Sequence, residues 1–209
     1  MNRLILFLIL LLSSNLYAGR PFIGFEGGAI SIDEDAYFGK YTKEIIKGLN
    51  GRISYEKSGI ASIGFYEGYE VNDYVSLMAK QRYFSTRIAA DFYSQPSMNF
   101  EIAKNVVPLN IGVRLRLKLD KVFGFYLEGL PGVYIVDTFE KGYFGNYHTR
   151  DNYFGGNISG GVDFIINDLI EISLGATVEI LEIEKKNPIL EDGGDAGGVG
   201  IAMKFGVVF

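Results

Sequence analysis

VPLNIGVRLRLKL, residues 107–119, decides the fold of this chain. Val107, Leu109, Ile111, Val113, Leu115, Leu117 and Leu119 make one parity, and Pro108, Asn110, Gly112, Arg114, Arg116 and Lys118 the other. A period of two is the pleat of a β-strand, whose successive side chains point to opposite faces. Few strands of soluble proteins keep it for so long. Facing lipid near a bilayer midplane, Arg or Lys would cost about 2–4 kcal/mol each. Three on one strand are tolerable only if that parity points inward.

The same pattern recurs in eight segments, at 21–32, 59–71, 74–93, 105–119, 122–137, 153–166, 169–183 and 198–209. Three connections are tight and polar: Asn72-Asp73, Asp120-Lys121 and Asn167-Asp168. Four are long, at 33–58, 94–104, 138–152 and 184–197, and long and short alternate. That asymmetry predicts an all-β fold: an eight-stranded antiparallel up-and-down transmembrane β-barrel with short periplasmic turns and long outer loops. Three irregularities are expected. Pro131 interrupts an apolar face and predicts a bulge or the upper end of regular pairing. The phase of 74–93 changes near Tyr83-Phe84, which predicts another. Glu67 shares parity with Ala61, Ile63, Phe65 and Tyr69, so a bulge or a place near the headgroups is expected for it.

The first residues, MNRLILFLILLLSSNLYAGR, read as a signal peptide over 1–18, with a barrel domain over 19–209. Leu4–Leu12 is nine apolar residues, well short of the ~20 that span a bilayer as a helix. After it, no stretch is long and apolar enough for a transmembrane helix. A formal net charge of −5 gives a nucleic-acid partner no electrostatic support. With no cysteine and one histidine, a disulfide framework and a zinc site are both unexpected.

The polar parity carries Arg114, Arg116, Lys118, Glu128, Asp163, Glu171, Glu179 and Lys204. An eight-stranded barrel is only wide enough to be filled by side chains or to hold one small ligand. These charges are therefore expected to pair inside and plug the lumen rather than to line a proton or ion path.

The signal peptide, the alternating strands and the terminal Met203-x-Phe205-x-Val207-x-Phe209 resemble small bacterial outer-membrane barrels. That group includes OmpX, the OmpA membrane domain, OmpW and the opacity-type proteins. The resemblance covers residues 20–209. It implies outer-membrane residence in a Gram-negative-type bacterium. It also implies that Met203, Phe205, Val207 and Phe209 are read by the outer-membrane assembly machinery. Aromatic girdles are expected from Phe22, Tyr74, Phe123 and Phe209 at the periplasmic end. Phe92, Tyr93, Tyr143, Phe144, Tyr153 and Phe154 would form the outer one.

Some barrels of this size acylate or deacylate lipid A, and the deacylases resemble His-x-Ser-Asn at the active site. Here His148-Thr149-Arg150-Asp151 has Arg150 where that motif has serine, and adjacent strand residues point to opposite faces. No catalytic residue is therefore assigned. Glu191-Asp192-Gly193-Gly194-Asp195 lacks the alternating ligands of a calcium loop, so neither a metal nor a cofactor is expected. Loop 33–58 mixes Lys43, Lys47, Arg52 and Lys57 with Tyr and Ile, suited to lipopolysaccharide phosphates or a host surface. The reading is a non-enzymatic barrel with a structural or surface-interaction role. Its partners would be outer-membrane lipids, lipopolysaccharide, the assembly machinery and a possible surface ligand of the loops. The alternatives are an OmpW-like channel for small or hydrophobic solutes, a lipid A-modifying enzyme, and a soluble lipocalin-like barrel with the apolar parity inside.

Overall fold

A computed structural model describes residues 19–32, 46–48, 50–56, 59–92, 96, 99–142, 145–183, 194–195 and 197–209, with the side chains of 53–56, 59, 182–183 and 194–195 excepted. The expected signal peptide over 1–18 and most of loops 33–58 and 184–197 lie outside the described residues.

The described strands are β1 Arg20–Ile32, β2 Arg52–Glu56, β3 Gly59–Glu70, β4 Val75–Asp91, β5 Phe100–Lys118, β6 Phe123–Gly142, β7 Gly145–Ile166, β8 Ile170–Ile183, β9 Gly194–Asp195 and β10 Gly198–Val208. All their pairings are antiparallel. β10 pairs with both β8 and β1, which closes an eight-stranded barrel of β1, β3 to β8 and β10. β2 pairs with β4 above β3, and β9 pairs with β8.

The register can be walked round the ring: Arg20, Glu70, Ser76, Arg114, Glu128, Ser159, Thr177, Gly200 and back to β1 at Ile30. The circuit returns ten residues beyond its start. A stagger of this kind tilts the strands by about 40° from the barrel axis.

Tight turns close one end. Asn72 Oδ1 accepts from the N–H groups of Tyr74 and Val75, both at 2.9 Å. Asp120 Oδ1 does the same for Val122 and Phe123, both at 2.7 Å. Asn167 and Asp168 have φ of 53° and 56°, the left-handed pair that a two-residue hairpin matched to strand twist requires.

The strands are longer than expected at the other end. β6 and β7 stay in register as far as Gly142 opposite Gly145, so 138–142 and 145–152 continue the strands rather than belonging to a long loop. β5 likewise begins at Phe100 and takes up half of the expected loop 94–104. Neither expected bulge is present. β6 pairs with β7 at constant register through Pro131, which faces outward and is exposed. β4 pairs with β5 at constant register on both sides of Tyr83-Phe84.

What changes at Tyr83-Phe84 is the surroundings. Below it β4 turns Lys80 and Arg82 inward and Leu77 outward; above it Phe84 and Ile88 face inward and Ser85 and Arg87 outward. β5 swaps the same way, with Arg114 inside and Leu115 outside near the turns, then Ile102 inside and Glu101 outside. Apolar parity thus changes sides without any slip of register. Toward the turn end the outside is an apolar belt, with Ile63, Ile111, Leu117, Leu174 and Ile201 all more than half exposed.

Aromatic placement differs from expectation in part. Tyr74 and Phe209 are exposed at the turn end. Phe22 is buried inside instead, with its ring 6.2 Å from that of Tyr66. Phe92 and Tyr153 also point inward, into the apolar upper interior, while Phe154 faces outward at 86% exposure. Tyr93, Tyr143 and Phe144 lie outside the described residues.

Candidate functional site

The interior between the turns and mid-barrel is filled by ion pairs. Arg114 and Arg116 are two residues apart on β5, so both point inward, one above the other. Arg114 Nη2 lies 2.7 Å from Asp163 Oδ1 and 3.1 Å from Ser173 Oγ. Arg116 Nε lies 3.0 Å from Asp163 Oδ2, and its Nη1 lies 2.8 Å from Glu70 Oε1. Both guanidinium groups also bind Glu171, one on each carboxylate oxygen. The planar fork of arginine suits such bidentate sharing.

A second group sits above. Lys80 Nζ lies 2.8 Å from Glu26 Oε2 and 3.0 Å from Glu128 Oε2. Lys204 pairs with the other Glu128 oxygen, and its Nζ stands 4.3 Å from the centre of the Tyr126 ring. Arg82 pairs with Glu179, which also accepts from the Tyr134 hydroxyl at 2.5 Å and from Asn157 Nδ2 at 2.7 Å. Arg114 Nε, 3.7 Å from Glu128 Oε1, joins the two groups. The side chains of Lys80, Arg82, Lys204 and Glu128 are 0% exposed.

Of the sequence-predicted interior residues, the structure brings together Arg114, Arg116, Glu128, Asp163, Glu171, Glu179 and Lys204. Lys118 stands apart at the turn-end rim, 3.1 Å from Asp73. Sequence reasoning missed Glu70, Lys80 and Arg82, and did not use Glu26. Lys80 and Arg82 share the parity of Ser76 and Met78, and a constant period through β4 would have found them.

Above these charges the interior becomes mainly apolar, with one polar row, Thr86, Lys104 and Thr138, buried in it. Ile30, Ile60, Phe84, Ile88, Ile102, Val106, Tyr134, Val136, Tyr153 and Leu181 form one buried cluster. Ile46, buried against Ala90 and Phe92, packs at its upper edge.

The β6–β7 hairpin projects past this cluster, and 145–150 are exposed on both faces. On its outward face Arg150 grips Asp137 with two bonds, at 2.7 and 2.9 Å. Those bonds hold the Asp137 carboxyl below the usual range, aided by nearby His148. The His148 ring stacks on Phe139, centres 4.3 Å apart and planes 6° apart, with Nε2 3.4 Å from Asp137 Oδ1. Thr149 and Asp151 alternate with His148 along β7 and so take the opposite face. Residues 191–193 of the acidic loop, and Lys43 and Lys57, lie outside the described residues. Met203, Phe205 and Phe209 are exposed on the outer face, Val207 is half-buried there, and Phe205 pairs with Phe25 of β1.

No family model matches the chain. No curated protein matches it either. Among solved structures, it is similar to Neisserial surface protein A at 10% identity, over 91% of this chain and 97% of that one, with a TM-score of 0.51. It is also similar to the outer membrane protein OprG of Pseudomonas aeruginosa at 12% identity, covering 92% and 97% of the chains at a TM-score of 0.48. Ail, the attachment invasion locus protein of Yersinia pestis, solved with the heparin analogue sucrose octasulfate, is 14% identical over 91% and 96% at 0.45. The fold is that of the small outer-membrane β-barrels.

Proposed function

We propose that the chain is a non-enzymatic integral outer-membrane barrel whose bore is closed and whose working surface is the sheet projecting from its loop end. The observation that carries this reading is the swap of apolar parity at constant register. Only a surface that passes from hydrocarbon to water along its height favours it, since each tier then buries its apolar groups and solvates its polar ones. Closure of the barrel leaves no unpaired strand edge in lipid.

Two layers support closure of the bore: the Arg–Glu–Lys layer near the turns and the apolar cluster above it. The charged side chains of the lower interior are locked in those pairs, and the His148 ring is stacked on Phe139. Outer-membrane lipids and lipopolysaccharide would cover the belt. The assembly machinery would read Met203, Phe205, Val207 and Phe209, after removal of residues 1–18. A surface ligand would meet the exposed hairpin residues, among them Tyr147, Arg150 and His148.

The test uses single cysteines in this cysteine-free chain, each carrying an environment-sensitive fluorophore, in lipid vesicles. Ile158→Cys is expected to report hydrocarbon and Tyr147→Cys to report water. Water at both positions would contradict membrane residence.

A further inference from the structure

Two polar side chains interrupt the apolar belt. Glu67 on β3 and Gln81 on β4 both face outward, and neither has a hydrogen-bond partner among the described residues. The expected bulge at Glu67 is absent: β3 keeps constant register with β1 and β4, placing Glu67 between Ile23 and Ala79. One row, Pro21, Tyr69 and Leu77, lies between it and the turn end.

Register and stagger fix where the two stand relative to one another. Gln81 pairs with Phe65, so it is two residues up β3 from Glu67 and one strand across. Two residues along a strand are about 6.7 Å, and one strand across is about 4.8 Å. With strands tilted about 40°, and rows climbing from β3 to β4, the sideways parts nearly cancel. Gln81 therefore stands almost directly above Glu67, by about 8 Å. Both lie on one line parallel to the barrel axis.

We propose that this line is the axis of a homodimer, with the β3–β4 wall of one chain against the same wall of a second copy. The inference rests on the membrane reading above. A two-fold axis along the membrane normal brings each group to its own counterpart at the same height. Glutamine carries both a donor and acceptor, as does a protonated glutamic acid, so each pairs with itself. Lipid chains provide neither. One axis serves both pairs because the two groups are stacked. Ala79, beside Glu67 and below Gln81, is small enough for close approach. A lone polar residue would not select a partner; two on one vertical line select a copy of the same surface.

Disulfide cross-linking in lipid vesicles tests this. Ala79→Cys places a thiol about 4 Å to the side of the proposed axis, close enough to meet its counterpart, and Leu174→Cys places one on the far wall, where the side chain is 56% exposed. Oxidation is expected to give covalent dimers of Ala79→Cys and not of Leu174→Cys. Adding Glu67→Leu and Gln81→Leu is expected to lower the dimer yield about fivefold or more, while Glu67→Gln keeps it. Equal yields at positions 79 and 174, or a yield unmoved by the leucines, would overturn the dimer. The Ile158→Cys probe reports insertion separately, so failure of the membrane reading is told apart from failure of the dimer.

Discussion

The Tyr66 hydroxyl occupies the space that a side chain at Gly206 would need: a Cβ there would lie 2.5 Å from it. Gly24 pairs with both Tyr66 and Gly206, and a Cβ on Gly24 would also strike the Tyr66 ring. The tyrosine thus lies across the seam where the first and last strands close the barrel. Tyr126 repeats the arrangement, in register with Gly161 and lying against Gly175, its neighbour on β8.

Gly206→Ala should therefore destabilise the folded barrel by about 1–3 kcal/mol, the usual cost of overpacking. Gly27 is the control, for it faces outward and a Cβ there meets nothing within 4 Å. Gly27→Ala should be neutral or stabilising by up to about 1 kcal/mol, through a stiffer unfolded chain. Urea unfolding in lipid vesicles compares the two, and equal effects would refute the seam argument.

Arg114 touches Asp163, Glu171 and, more distantly, Glu128. Arg114→Ala removes one of the two arginines that share Asp163 and Glu171 and leaves this buried site one positive charge short, a loss of up to about 3–5 kcal/mol. Arg114→Ala with Glu171→Ala should cost less than the sum of the two single changes, by about 0.5–3 kcal/mol. The same unfolding assay yields the coupling, and strict additivity would show that the pair does not interact.

Much of this was legible in the sequence. Periodicity placed the eight strands, their inward faces and the tight turns, because a pleat admits only one alternation. The upper tier was not legible in the same way. Phe84 and Ile88 looked like a change of phase after Lys80 and Arg82, since alternation alone does not say which solvent lies outside. Only the unbroken β4–β5 register separates a slipped strand from a changed environment. One partner of Arg116 was also out of reach, because Glu70 comes to it across β4. That neighbour is set by stagger, which no single strand encodes.

Acid should loosen the hairpin. Asp137 has its carboxyl held below the ordinary aspartate value of about 3.9, first by the Arg150 hydrogen bond. A depressed folded value means the pair contributes stability above about pH 4 and loses it as the pH falls lower. Proteolysis at Arg150 should rise on acidification toward pH 3 in the parent protein. Asp137→Asn should be cleaved readily at pH 7 with little further change. A parent hairpin insensitive to pH would remove the Asp137–Arg150 grip from the account.

The upper cluster should behave like the core of a soluble protein. Phe84 is 1% exposed within it, and Phe84→Ala should cost about 3–5 kcal/mol. Leu174→Ala, made on the belt, should cost less, because lipid fills the space that its side chain leaves. Comparable losses at the two positions would argue against two different solvents outside the barrel.

The closed bore is the central claim, and single-channel recording of the refolded protein in a planar bilayer tests it most directly. The account predicts a folded, inserted barrel that stays silent, with its lumen occupied by Arg114, Arg116, Glu128 and their partners. Reproducible discrete openings would contradict it and make a solute channel the better reading.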